Sequence, residues 1–310
     1  MNPERSVKRR TTFKKYLPYY LMLIPGMVYL IINNYMPMFG LVIAFKDINF
    51  VKGIWGSDWI GLKNFEYLFK TSDAYIITRN TIVYNAVFII LNLVVAVGVA
   101  ILLNEIRNKL LSRFYQSVIL LPYLISTVII SYLVFAMLSM DNGFMNNTVL
   151  PMLGMEPKSW YNEPGVWPYI LTFIHTWKGA GYLCIVYLAA IIGIDQEYYE
   201  AATLDGASKW QQIRRITLPL IAPVITIMTL LAVGRIFYSD FGLFYQVPMD
   251  SGALYDTTNV IDTYVYRGLM QLGDIGMSSA AGLYQSLVGF VLVLLSNFIV
   301  RKINKENALF

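Results

Sequence analysis

The chain has 310 residues, of which 57% are hydrophobic and only 14% charged, with a formal net charge of +5. A soluble domain carries about 25% charged residues, so this composition argues against one and for a protein that crosses a membrane several times. One cysteine, Cys184, and one histidine, His175, exclude an intramolecular disulfide and a cysteine–histidine metal cluster.

A helix needs roughly 20 residues to cross about 30 Å of hydrocarbon. Six apolar stretches are long enough, at 16–45, 81–103, 114–140, 166–194, 218–238 and 280–300. None alternates at period two, as a barrel strand would. The expected fold class is therefore an all-α integral membrane protein, with a six-span domain over 16–300 between a basic tail (1–15) and a short tail (301–310). The N-terminal basic-then-apolar pattern runs past Ile32 into Asn33-Asn34-Tyr35 without a small-x-small site, which predicts an uncleaved first span.

Lysine and arginine set the orientation. Fifteen lie in the two tails and in the second and fourth connections, including Arg107, Lys109, Arg113, Lys209, Arg214 and Arg215. The longer alternate loops hold Lys46, Lys52, Lys63, Lys70, Arg79, Lys158 and Arg267. The positive-inside rule puts both termini in the cytoplasm and predicts a multi-pass protein of the cell membrane.

In chain order, Pro25 and Pro37 are expected to kink the first span, or Pro37 to end it early with Met38–Phe45 continuing at the outer surface. The loop that follows is aromatic-rich (Phe50, Trp55, Trp59, Phe65, Tyr67, Phe69, Tyr75). It reads either as interfacial helices or as a landing surface for an extracellular partner. In spans two and three, Asn85, Asn92, Ser126, Thr127 and Ser131 are expected to bond helix to helix, and Pro122 to bend the third span. Residues 141–165, with three prolines, should be irregular.

The fourth span contains His175, Trp177, Lys178 and Tyr182. A charged lysine at membrane depth costs at least about 2.5 kcal/mol unless it reaches water or a partner. Lys178 thus reads as a substrate or gating residue, or as a bond to a neighbouring span; His175 reads as packing. Arg235 closes the fifth span, and Asp240, five residues on, has the wrong spacing for a helical pair. Trp177, Lys178, Tyr182, Arg235, Tyr238, Tyr284 and Gln285 are the candidate substrate-path residues, by aromatic stacking and hydrogen bonding to a sugar. An ordinary aromatic girdle is the alternative for each ring.

Between spans four and five lies one long polar passage, DQEYYEAATLDGASKWQQIRRITLPLIAP, with the connection proper at 195–217. Gln196 to Asp205 has helix-forming composition. Gly206 supplies a left-handed helix end, Ser208 and Gln211 fit a capping box, and the second helix should run until Pro219, the first turn of the next span. The bland reading is an amphipathic connector lying on headgroups.

Glu200-Ala201-Ala202, then Gly206, then Ile216-Thr217-Leu218-Pro219 resembles the EAA loop of binding-protein-dependent ABC importer permeases, at the family's spacing. Trp59–Phe69, Trp177-Lys178-Gly179 and the run from Val260 to Arg301 resemble its carbohydrate, polysaccharide-type branch. The resemblance implies the MetI-like permease fold and an oligosaccharide substrate moved by alternating access. It also implies a second homologous permease, two cytoplasmic ABC ATPase subunits and an extracellular solute-binding lipoprotein. Glu200, Ala201, Ala202, Asp205, Gly206, Ile216, Leu218 and Pro219 would then couple to the ATPase. ATP and Mg would be bound by that partner, since this chain has no G-x-x-x-x-G-K-[ST] loop and is expected to carry no cofactor, metal or catalytic residue. An importer for amino acids or peptides, a membrane-embedded sugar transferase and a channel or secondary transporter are the other readings. A transferase would need clustered acids or histidine, and a secondary transporter inverted repeats.

Overall fold

The computed structural model describes residues 3–303. The expectations that fall on residues 1–2, on the tail from 304 (Lys305 included), and on the side chains of 3–14, Tyr67, Leu68, Phe69 and Ile303 lie outside the described residues. Helices dominate: α1 (Pro3–Leu30), α2 (Lys63–Lys70), α3 (Ser72–Asn104), α4 (Lys109–Leu124), α5 (Thr127–Leu138), α6 (Trp167–Ile192), α7 (Gln196–Leu204), α8 (Lys209–Gly234), α9 (Phe241–Gln246), α10 (Ile261–Met270) and α11 (Ile275–Ile303). Four stretches, Lys15–Phe45, Ser72–Asn104, Lys209–Gly234 and Ile275–Lys302, are long and apolar enough to cross a membrane. Two bent pairs, α4 with α5 and α6 with α7, bring the number to as many as six when each pair is taken as one span. The strands among the described residues form one two-residue antiparallel pair, Lys46 opposite Trp59 and Asp47 opposite Asp58.

Prolines shape these helices in a regular way. The three π-turns among the described residues, Ile31–Tyr35, Met145–Val149 and Ile213–Thr217, each end two residues before a proline (Pro37, Pro151, Pro219). A proline inside a helix lacks a donor and its ring crowds the carbonyl four residues back. The wider π-turn relieves that crowding while the helix continues. For this reason α8 does not stop at Pro219 as the sequence suggested, but is unbroken from Lys209 to Gly234.

The third span departs further from expectation. It is not a bent rod over 114–140 but two helices meeting at 91°. Pro122 weakens the end of α4, and Ser126, in extended conformation, restarts the chain by accepting from Ile129 N at 3.4 Å. At 16 and 12 residues, neither half spans the bilayer alone. The other boundaries also shift: α3 starts at Ser72 rather than 81, and α11 at Ile275 rather than 280. The fifth span ends at Gly234 rather than 238, because the chain turns through 235–240 before α9.

Helices α3 and α6 make the most extensive contact in the molecule. Close approach of α4 to α6 depends on Gly181, where a Cβ would sit 2.1 Å from the Ile119 carbonyl oxygen. Two buried clusters line this bundle. One (Ala96, Ala100, Cys184, Leu188, Ile191, Ile221) lies toward the end carrying Lys109 and residues 195–217, hereafter the basic end. The other (Tyr84, Phe88, Trp167, Leu171, Phe244, Val260) lies toward the far end. Lys15–Phe45 stands apart, its most apolar stretch only 6% buried. Only its last part is held, by Phe45 stacked on Trp59 (5.6 Å) and by Asn64 donating to the Ala44 and Lys46 carbonyls.

The far-end connections are better ordered than their composition suggests. Within 141–165, Asn146 donates to the Ser139 and Lys158 carbonyls and accepts from Lys158 N and Trp160 Nε1, so one amide ties the end of α5 to the stretch 158–160. Between α9 and α11, Arg267 pairs with Asp250 at 2.7 Å, bonds Asn259 and lies over the Tyr255 ring.

Candidate functional site

Two places gather polar chemistry. The first is the segment at the basic end. Asp195 caps α7 by accepting from Glu197 N at 3.1 Å. The helix ends in a Schellman motif: Gly206, at φ +76°, donates to the Thr203 carbonyl and Ala207 donates to that of Ala202. Ser208 and Gln211 then form the reciprocal capping box that starts α8.

Further bonds fix the angle between the two helices. Gln212, buried, donates to Thr203 Oγ1 at 2.9 Å across the glycine turn, and the Tyr199 and Thr217 hydroxyls meet at 2.9 Å. Lys209 reaches Glu105 on the neighbouring connection at 3.1 Å.

The expected coupling residues divide by position. Glu200, Ala201, Asp205, Gly206 and Pro219 are exposed and Ala202 is half-buried. Ile216 and Leu218 instead pack inward on the basic-end cluster, so they hold the segment rather than face outward. Sequence reasoning missed the apolar part of this surface: Leu204 is 89% and Trp210 68% exposed, with Tyr198 beside them in the same segment. Exposed large apolar side chains next to charges mark a surface built to be covered. A lone Trp between Lys209 and Gln211 gave the only sign.

The second place is a cavity of about 300 Å³ between α3, α6, α8 and the turn after α8. Asn85, Phe88 and Asn92 line it from α3, His175 and Tyr187 from α6, and Arg235 and Tyr238 from the turn. It lies between the two buried clusters, since Phe88 belongs to the far-end one and Tyr187 to the other. His175 lies flat against Phe88, ring centres 3.8 Å apart, which is the packing role expected of it. Asn85 donates to the Ile236 carbonyl at 2.9 Å and so ties the turn to α3. The Asn92 Oδ1 is buried without a partner.

Of the candidate path residues, Arg235 and Tyr238 line this cavity. Lys178 donates to Thr127 Oγ1 at 2.6 Å. Trp177 lines a separate, almost wholly apolar groove with Leu133, Tyr169 and Phe173. Tyr182 stacks on Tyr123, and Tyr284 meets Phe237 edge-on. Gln285 is buried and donates to the Phe237 carbonyl and to Asp262. Asp262 also accepts from Ser239 N at 2.7 Å, and burial raises its carboxyl above the ordinary range. Gln285 and Asp262 therefore position the turn that carries Arg235 and Tyr238. The amides at 85 and 92 were visible in sequence as polar residues in apolar helices, but nothing there said which way they pointed.

Residues 92–305 match the model of a family described as "Binding-protein-dependent transport system inner membrane component". Among curated proteins, the chain is 37% identical to the polygalacturonan/rhamnogalacturonan transport system permease protein YteP of Bacillus subtilis, covering 94% of this chain and 90% of that one. It is 26% identical to the trehalose/maltose transport system permease protein MalF of Thermococcus litoralis, over 92% and 93% of the two chains. Among solved structures, it superposes with a TM-score of 0.87 and 32% identity on a chain of a bacterial ABC transporter that imports the acidic polysaccharide alginate, covering 96% of this chain and 99% of that one.

Proposed function

This chain belongs to the family of binding-protein-dependent transport system inner membrane components, and on that premise we propose that it is the permease subunit of an ATP-driven importer that takes up an oligosaccharide. The basic end, with both termini, faces the cytoplasm of a bacterial cell. An extracellular solute-binding protein delivers the sugar at the far end. Relatives whose names specify polygalacturonan, trehalose and maltose support the substrate class. A solved neighbour complexed with a pentasaccharide-bound periplasmic protein supports the delivery step.

The observation that carries this reading is the braced two-helix segment at the basic end, in a chain without a phosphate-binding loop of its own. Its exposed Tyr198, Leu204 and Trp210 supply apolar contact, Ala201 and Gly206 allow close approach, and Glu200, Arg214 and Arg215 orient a partner by charge. A cytoplasmic ABC ATPase subunit, holding ATP and Mg, is that partner. Closure of the ATPase pair on ATP displaces α7. The Gln212–Thr203 and Tyr199–Thr217 bonds pass the motion into α8, and α8 borders the cavity, so access alternates between the two membrane faces.

A second permease completes the path. Lys15–Phe45 supports this, because exposed Tyr29 and Asn34 bring polar groups to membrane depth on a span that its own bundle barely covers. The test is disulfide crosslinking from Ala201→Cys in a cysteine-free background, read together with oligosaccharide uptake in a strain deleted for this chain. Crosslinks to an ABC ATPase and loss of uptake of at least one oligosaccharide are expected. Crosslinks that form only from outside the cell overturn the reading.

A further inference from the structure

The cavity is lined by a cationic side chain that no described residue pairs with. Arg235 follows the last residue of α8 and lines the cavity; among the described residues its guanidinium has no hydrogen-bond or ion-pair partner, its backbone alone bonding Ala232 and Tyr238. The acids on the same turn and its neighbours are engaged with backbone and amide donors. Asp240 accepts from Leu243 N at 3.1 Å, and Asp262 accepts from Ser239 N and Gln285 Nε2. The other cation nearby, Lys178, gives its hydrogen bond to Thr127. Arg235 is exposed just past the end of the span, open to an anion that reaches the cavity, and its planar fork matches a carboxylate in two-point contact.

The same cavity contains an unanswered acceptor, the buried Asn92 Oδ1, and the phenol ring of Tyr238. A hydroxyl suits the amide oxygen, a pyranose C–H face suits the ring, and a carboxylate suits Arg235. At about 300 Å³ the space is at the small end of ligand pockets, roughly 300–1,000 Å³, so it admits a sugar ring or two rather than a long chain.

We propose that Arg235 recognises the carboxylate of a uronic acid residue as it passes, so that this chain conducts an acidic, uronate-containing oligosaccharide. This rests on the oligosaccharide-permease reading above. Asn92 contributes the hydroxyl contact.

The test uses the complete transporter in cells deleted for the native chain and complemented with wild type, Arg235→Gln, Arg235→Lys or Asn92→Asp. The probes are trigalacturonate and a guluronate trisaccharide, their methyl esters, a neutral maltotriose and a hexose phosphate. Because every variant shares one binding protein, a change in preference between acid and ester belongs to this chain. Wild type should take up a uronate trisaccharide at least tenfold faster than its methyl ester. Arg235→Gln should lose tenfold or more on the acid and lower the acid-to-ester uptake ratio by at least fivefold. Arg235→Lys should fall between, and Asn92→Asp, which adds a negative charge to the cavity, should impair the acid selectively. Equal losses on acid and ester in variants that still co-purify with the ATPase overturn the proposal, as does a wild-type preference for the ester, maltotriose or the hexose phosphate. If no trisaccharide of either charge depends on this chain, the oligosaccharide reading itself fails.

Discussion

The Lys178 ammonium, in the middle of α6, donates to the Thr127 hydroxyl at 2.6 Å, and Thr127 is the first residue of the helix that leaves the 91° break. One charged hydrogen bond therefore pins the second half of the third span, at its start, to the fourth. A bond of this kind contributes about 1.5–3 kcal/mol, and the loss is felt most when the charge is left behind.

Thr127→Val should accordingly lower the thermal unfolding midpoint in detergent more than Lys178→Met does. The double variant should resemble Lys178→Met alone, since the two side chains share one interaction. Purely additive losses would show that the bond is not what joins these helices.

Gly206 has open space around its missing Cβ, but its φ of +76° lies where L side chains pay about 1–2 kcal/mol. The penalty is conformational, not steric. Gly206→Asn, which tolerates this region, should retain most uptake, whereas Gly206→Val should uncouple ATP hydrolysis from transport while the chain still inserts. Equal behaviour of the two variants would count against the turn as the device that sets the angle of α7.

Gly181 and Gly179 offer a comparison within one helix. A Cβ at 181 meets the Ile119 backbone at 2.1 Å, which cannot yield, while one at 179 meets only the Asn92 amide at 3.5 Å. Gly181→Ala should push α4 off α6 and cost about 1–3 kcal/mol or more. Gly179→Ala should be nearly neutral in the same unfolding assay. A reversed order would mean that the two helices do not approach as described.

Asp262 gives a pH dependence with a definite sign. Its buried carboxyl has a pKa above the ordinary value of 3.8, so the folded state binds its proton more tightly than the unfolded chain. The associated stability is fully present below 3.8 and is lost as pH rises through the folded value. Compared with Asp262→Asn, wild type should therefore gain stability as the medium is acidified across that window. Other titrating groups cancel in the difference. A constant difference across the window would show that the carboxyl is not perturbed by burial.

Much of this architecture was legible because membranes simplify the reading. Spans two and four to six, the left-handed Gly206 and the Ser208–Gln211 box follow from local rules. The 91° break was not legible, because Pro122 announces a weak helix end but not the rotation taken after it. Nor was the early end of α8, since Ile236 and Phe237 are as apolar as the span they follow. The cavity residues escaped for a further reason. In a bilayer both the lipid-facing and the protein-facing sides of a helix are apolar, so Asn85 and Asn92 reveal their direction only once α3 has packed on α6 and α8. Met249 and Asp250, at φ of 54° and 48°, carry no glycine to signal their turn.

The unbroken run of α8 makes it a lever. Its 26 residues form a rod about 39 Å long at 1.5 Å per residue. Tilting such a rod by about 10° around one end sweeps the other through roughly 7 Å by that same length. A modest push near Trp210 that tilts the rod thus arrives as a displacement of Arg235 comparable to the width of a sugar.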